Sequence, residues 1–351
     1  LINYMSVSSN DELKQWLESH NITEVECIFP DMAGSSKGKI LPVNRFIKSL
    51  EDQSLKLADS VLAQTVSGSW INESEIIDYV EEDVIMIPDL STIRKIPWNK
   101  EPTAQIICDL YYNSVSPSDI APRQILKKII KTLNEENMEA IVAPELEFYL
   151  CEQNLDPDLP LKTPVGKSGR REMSSQAFGV DAVNEFDKIT DDIYDYCESL
   201  GIGVDTLVHE SGPAQIEINL NHGNPLQLAD QAFMFKRAVR QVALKHGVHA
   251  TFMAKPYSSQ PGSSMHIHQN LISTKTKENL FSDKEGNNTD LFLNYIGGLQ
   301  QYLPDAMLFF APYVNSYRRF VIDASAPINT HWGLENRTVG FRVPSSKGDS
   351  R

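Results

Sequence analysis

Cysteine is scarce in this chain, with four residues in 351, at positions 27, 108, 151 and 197. They stand far apart and form no C-x-x-C pair. That argues against a disulfide scaffold or a thiolate zinc site and for a reducing, cytoplasmic setting. No apolar run approaches the roughly 20 residues of a membrane-spanning helix, so no membrane partner is expected. Positive charge is in deficit: 32 Lys and Arg face 47 Asp and Glu, a net charge of −15. That balance disfavours a nucleic-acid backbone as partner. G-x-x-x-x-G-K-[ST] is missing too, so any ATP is held otherwise than in a P-loop. No internal repeat or low-complexity tract is visible.

What is present fits a globular protein of two domains, with 41% hydrophobic and 23% charged residues. Near the start, Asp11 reads as the N-cap of a short helix with Leu13, Trp16 and Leu17 on its apolar stripe. VECIFPDMAGSSKGKILP, residues 25–42, reads as a hairpin. The segment STIRKIPWNKEP has two prolines and little periodicity, which sets a domain boundary near residue 102. Residues 1–102 then form a small strand-rich domain with one helix, and 103–351 a second domain. In the second, PRQILKKIIKTLNEEN predicts a helix opening on Pro122 with Ile125, Ile129 and Leu133 inward. Residues 152–178 form a long Pro/Gly/Ser/Arg-rich loop, a length usually reserved for function or disorder. DKITDDIYDYCESLG predicts a helix burying Ile189, Ile193, Cys197 and Leu200. The longest helix runs from Pro225 to about His246 behind an Asn224 cap.

Three strands carry polar residues at period two, which puts them on one face. IVAPELEFYL offers Glu145 and Glu147; VHESGPAQIEINL offers Gln215, Glu217 and Asn219, with Glu210 before its turn; SSMHIHQNL offers His266, His268 and Asn270. An isolated E-x-E is usually a wet face, and a lone H-x-H is usually a pair of ordinary histidines. Together the three predict the polar floor of a cleft. Carboxylates and an imidazole are hard and borderline ligands, suited to Mg²⁺ or Mn²⁺. Two such ions could bridge nucleotide phosphates during phosphoryl transfer. Downstream, NSYRRF and ENRTVGFRVP bring Arg318, Arg319, Arg337 and Arg342, candidates for gripping carboxylate and phosphate.

These segments, with KPYSSQPGSSMHIHQNL, resemble the glutamine synthetase superfamily, and within it the γ-glutamylputrescine (glutamate–polyamine) synthetase branch. The resemblance implies an α+β chain: an N-terminal β-grasp domain, then a catalytic domain with a curved antiparallel sheet flanked by helices. It implies metal ligands at Glu145, Glu147, Glu210, Glu217 and His266, and ATP contacts at His268, Asn270 and Arg337. Substrate contacts fall at Gly262, Arg319 and Arg342, and Glu210, Arg319, Arg337 and Arg342 are placed in catalysis. The activity implied is ATP-dependent ligation of the glutamate γ-carboxylate to a small amine through γ-glutamyl phosphate, with two or more Mg²⁺ or Mn²⁺ ions per site. The partners implied are glutamate, ATP, the amine, and further copies in stacked, dodecamer-like rings with sites shared between neighbours.

Three departures accompany the resemblance. The family continues beyond the position of Arg351 into an R-x-E-x-R-like segment with a further metal carboxylate and substrate arginine, so the catalytic domain is expected to be incomplete at that end. Ser67 in VSGSW and Ser325 in DASAP replace two acids that, in glutamine synthetases proper, bind ammonium and take its proton. Glutamine synthesis from ammonia is therefore the alternative, not the expectation. A non-catalytic, ring-forming relative is a further alternative, which five retained metal-ligand candidates argue against.

Overall fold

The structure is a computed structural model that describes residues 7–70, 82–156, 158–322 and 326–345. Ser325 and most of the acidic stretch from 72 to 83 lie outside the described residues. The chain divides into two compact units, residues 1–129 with 195–202, and residues 130–194 with 203–351.

The first unit opens on α1 (Asn10–Ser19), whose N-cap is Ser9 rather than Asp11. The Ser9 side chain accepts from the Glu12 N–H, while Glu12 reaches back to the Ser8 N–H. Leu13 and Leu17 are buried as the stripe requires. β1 (Glu24–Pro30) and β2 (Ser36–Pro42) form the expected hairpin. A second helix, α2 (Val43–Asp52), follows directly, where the sequence reading had only one. Its N-cap is Pro42, with no side-chain cap to announce it, and it seats Phe46 in the core.

β3 (Lys56–Ala58), β4 (Asp83–Pro88), β5 (Arg94–Lys95) and β6 (Thr103–Tyr111) complete a six-stranded sheet of order β2-β1-β6-β4-β3, with β5 also on β6. β6 pairs in parallel with β1 and antiparallel with β4 and β5. It therefore belongs to the first sheet, although it lies beyond the break expected near residue 102. Its burial explains this, because eight of its nine residues are inaccessible and both faces must be covered.

α3 (Pro122–Glu135) begins at its proline, but Ile125 and Ile129 face solvent. Arg123 takes the inward position, where its guanidinium bridges Asp89 at 2.6 Å and Asp109 at 2.7 Å. Two ion pairs turn this face of the helix inward in place of the apolar stripe.

The second unit is built on β7 (Met138–Glu152), a strand of 15 residues. α4 (Val180–Asn184) and α5 (Asp187–Leu200) follow, and α5 buries Ile189, Ile193, Cys197 and Leu200 as expected. β8 (Val204–His209), β9 (Gln215–Leu220), β10 (Val248–Thr251) and β11 (Met265–Ser273) join β7 in an antiparallel sheet. β9 lies on one edge of β7. β10 and β11 share the other edge end to end, and the chain leaves the sheet between them over residues 252–264.

α6 (Pro225–Lys245) is capped by Asn224, whose side chain accepts from the Leu226 and Gln227 N–H groups. It covers one face of the sheet: Phe235 meets Phe148 at 6.5 Å between ring centroids, beside buried Ile216 and Ile218. Each such buried side chain contributes about 1.5–3 kcal/mol. With the even-numbered residues of β7 spent on α6, Glu145 and Glu147 must point to the opposite face.

A smaller apolar cluster joins Leu271 of β11, Phe281, Phe292 and Ile296 of α7 (Asp290–Tyr302), and Val343. α8 (Met307–Phe310), β12 (Trp332–Leu334) and β13 (Phe341–Val343) follow. Met265 and Ile267 of β11 are exposed. Among the described residues no helix is long and apolar enough to cross a membrane.

Candidate active site

Register assembles the polar floor. Glu147 stands opposite Glu217 across β7 and β9, and Glu145 stands opposite both Asn219 and His266. Directly opposed side chains in antiparallel strands start about 4.5–5.5 Å apart. Glu145, Glu217 and His266 thus bring one ligand atom each within 4.8 Å of one another.

Both histidines of the H-x-H pair turn to Glu145. His266 Nδ1 lies 3.1 Å from Oε2 and His268 Nε2 lies 2.9 Å from Oε1, where the Asn219 amide also donates. His266, and then His268, hold the Glu145 carboxyl well below the ordinary range. Its hydrogen bond to Glu145 in turn pushes His266 upward. Among the described residues Glu217 has no such hydrogen-bond partner. Burial, and then the charges of Glu145, Glu147 and Glu210, push it up to about 7. Glu210 is raised as well, by burial and by Glu147, while one of its oxygens accepts from the Ser211 N–H.

Glu147 is held by hydrogen bonds from two neighbouring segments. The Ser264 N–H at 3.0 Å and the Gln215 amide at 3.2 Å donate to Oε2, and the Ser264 hydroxyl donates to Oε1. Sequence reading had Gln215 on the floor but did not foresee its reach. Its Nε2 also donates to the Gly262 carbonyl, and its Oε1 accepts from the Gly212 N–H. Ser264 carried no signal that could have found it, because its contact depends on where the 252–264 excursion rejoins the sheet.

Gly262 and Arg319 are brought together. A Cβ at Gly262 would stand 2.5 Å from the Ala254 carbonyl oxygen and 2.6 Å from Arg319 Cγ, so only glycine allows the arginine to lie there. Asn315 fastens the two segments with a pair of 2.8 Å hydrogen bonds to the Lys255 backbone. The Arg319 Nε is buried without a partner among the described residues, and burial lowers the pKa of this arginine against the pull of Glu147. A buried, unpaired guanidinium donor fits a site built for an anionic ligand.

Among the described residues, no hydrogen bond or ion pair links Arg342, Arg337 or Asn270 to the floor carboxylates. Arg342 pairs with Glu335 at 3.7 Å. Arg337 is exposed between β12 and β13. The Asn270 Oδ1 is buried without a partner. Ser67 lies in a tight turn, hydrogen-bonded to Thr65.

A floor of oxygen donors plus one imidazole, with a carboxylate raised to about 7 by burial and by its acidic neighbours, has the chemistry of a hard divalent-metal site. A family profile for the glutamine synthetase catalytic domain matches residues 119–351. The chain belongs to the glutamine synthetase family.

Gamma-glutamylputrescine synthetase of Escherichia coli K12 is 35% identical over 337 residues, covering 95% of this chain and 71% of that protein. A glutamine synthetase of Methanocaldococcus jannaschii is 33% identical over 344 residues, covering 95% and 72%. Glutamate–isopropylamine ligase of a Pseudomonas species is 29% identical over 348 residues, covering 97% and 74%. A solved structure described as apo GmaS without ligand aligns at a TM-score of 0.77 and 24% identity, over 94% of this chain and 73% of that one, and shows the shared fold. The catalytic unit is thus the α+β glutamine synthetase fold of a ligase family.

A divalent ion held through Glu217 would bind in a pH-dependent way. The carboxyl's folded value of about 7 lies above the ordinary 4.5, so between these the folded protein binds the extra proton. That stabilisation of the metal-free protein is fully present below about pH 4.5 and lost as pH rises through about 7. A metal must displace the same proton. Near pH 6, Mn²⁺ binding is expected to release the Glu217 proton and that of His266, whose bond to Glu145 raises it, so up to about two protons leave and affinity should climb steeply as pH rises towards neutrality. Calorimetry in buffers of different ionisation enthalpy measures the release; its absence would remove Glu217 from the metal site.

Proposed function

We propose that this chain joins the γ-carboxylate of glutamate to the amino group of an alkylamine, putrescine or a related amine, using ATP. The observation that carries this reading is the Glu145–Glu217–His266 cluster with the half-buried Arg319, whose charge interacts with Glu147 beside that cluster. Two relatives whose names describe glutamate–amine ligation support it.

In this reading Glu145, Glu217 and His266 hold the divalent ions, with Glu147 and Glu210 beside them. Bound ions would supply neutralising charge for phosphoryl transfer. Arg319 grips the main-chain carboxylate of glutamate and aims its γ-carboxylate at ATP. A γ-carboxylate oxygen attacks the terminal phosphorus, the bond to the bridging oxygen breaks, and ADP leaves. The amine nitrogen then attacks the acyl carbon, the C–O bond to phosphate breaks, and the nitrogen gives up a proton to form the amide. In this reading Glu210, whose pKa is raised by burial and by Glu147, stands at the incoming amine.

Arg319→Lys keeps the charge and loses the fork. The Michaelis constant for glutamate is expected to rise about tenfold or more while that for ATP moves little. Equal change in both would point to a structural role.

The amine is the test of the whole reading. Ser67 is neutral and short at a position where the resemblance places an acid in ammonia-using members. Acids that hold ammonium and take its proton are thereby reduced, and space for a carbon chain is gained. The value of kcat/KM with putrescine or another alkylamine is expected to exceed that with ammonia by at least about tenfold, or about 1.4 kcal/mol. Glutamine synthesis is the second reading, favoured by the archaeal relative of that name. Equal or better use of ammonia would establish it instead.

A further inference from the structure

The long loop after β7 is tied to the active-site turn by one side chain that no functional reading has used. Glu172 reaches the His209–Ala214 turn, the segment that carries Glu210. Its Oε2 accepts from the Ala214 N–H at 2.7 Å and stands 3.0 Å from His209 Nε2. His209 Nδ1 in turn lies 2.7 Å from the Glu210 carbonyl oxygen. One carboxylate oxygen therefore grips the turn at both ends, immediately before Glu210 and four residues after it. The backbone adds a second tie, from the Phe178 N–H to the His209 carbonyl at 2.9 Å.

Two costs show that this grip does not serve stability alone. Ala214 is held at φ +54°, in the left-handed region that disfavours residues other than glycine. The second Glu172 oxygen, Oε1, is buried without a hydrogen-bond partner among the described residues. Strained backbone and unsatisfied polar atoms persist where a surrounding framework imposes them, and they gather at functional sites. Here the framework is a loop whose own shape is set by the Val165–Arg171 bridge and the Arg171–Glu152 ion pair.

We propose that Glu172 is a positioning residue: from the 152–178 loop it fixes the His209–Ala214 turn and thereby the placement of Glu210 over the carboxylate floor. The proposal rests on the role given to Glu210 above. It makes the loop a working part of the site, although the loop supplies no group to the reaction.

Four variants test it: Glu172→Ala, Glu172→Gln, Glu210→Ala and the double variant Glu172→Ala/Glu210→Ala. Phosphate release from ATP, glutamate and putrescine with Mg²⁺ gives kcat/KM. Mn²⁺ affinity, read by electron paramagnetic resonance without substrates, and the melting temperature are measured alongside. Glu172→Ala is expected to lower kcat/KM by about ten- to a hundredfold, the range for partners that orient metal-site groups, and to weaken Mn²⁺. Glu172→Gln keeps an oxygen at the gripping position and is expected to stay within about threefold of the parent. The double variant should be no worse than Glu210→Ala, because Glu172 acts through Glu210. Should Glu172→Ala not fold, Glu172→Asp, one methylene shorter, carries the same comparison. Normal activity of Glu172→Ala, or losses that multiply fully in the double variant, would overturn the proposal while leaving Glu210 in its role. Normal activity of Glu210→Ala would remove both.

Discussion

Glu217→Gln is expected to leave the fold intact, weaken Mn²⁺ binding by at least about a hundredfold, and reduce turnover in step. Even residues one contact away from a metal typically cost 10- to 100-fold, so a direct ligand should cost no less. The same change should raise the melting temperature of the metal-free protein at pH 8. At that pH the parent carries a charged, buried Glu217 against Glu145, Glu147 and Glu210, and the amide removes this repulsion. Opposite signs for stability and activity are the signature sought. Melting curves with and without Mn²⁺, run beside phosphate-release assays, decide it. A variant that loses stability and activity together would make Glu217 a structural residue, and one with normal metal-dependent turnover would dissolve the proposed floor.

Arg123→Ala should destabilise the first unit by about 3–5 kcal/mol, the cost of breaking a buried ion pair from one side. The Arg123 side chain is 5% exposed and the Asp109 side chain 8%, so the loss leaves a carboxylate in the interior. Asp89 loses its partner as well, and Lys127 is left alone on Asp109. Urea unfolding should show a lower midpoint at an unchanged slope. Pairing Arg123→Met with Asp109→Leu should recover part of the loss, because the charges then leave together. A loss below about 1 kcal/mol for Arg123→Ala would mean that the network behaves as an exposed one.

The floor was legible because period two survives in isolation. Gln215–Glu217–Asn219 and His266–His268–Asn270 declare their faces before any pairing is known, and the register then sets Glu217 opposite Glu147, and Asn219 and His266 opposite Glu145. What failed was non-local or competitive. β6 finds β1 across some eighty residues of chain, and no local pattern signals a parallel pair. The Ile125–Ile129 stripe has the right period on the wrong face, because Arg123 had two acids to reach. α2 lacked a cap residue to mark its start. The cap of α1 was readable: Ser9 and Glu12 stand at the S-x-x-E spacing, and Asp11 distracted from it.

The placement of β10 and β11 end to end on one edge of β7 makes residues 252–264 a natural place for specificity to drift. Both flanks of this excursion are anchored independently, by Val248–Thr251 on one side and Met265–Ser273 on the other. Lengthening or rewriting the intervening segment would not slip the strands by a residue, and so would not turn His266 away from Glu145. The same segment delivers Gly262 against Arg319 and Ser264 onto Glu147. A lineage could therefore change what is bound there while the ion-holding chemistry beneath stays in register, which is how one scaffold could come to serve several acceptors.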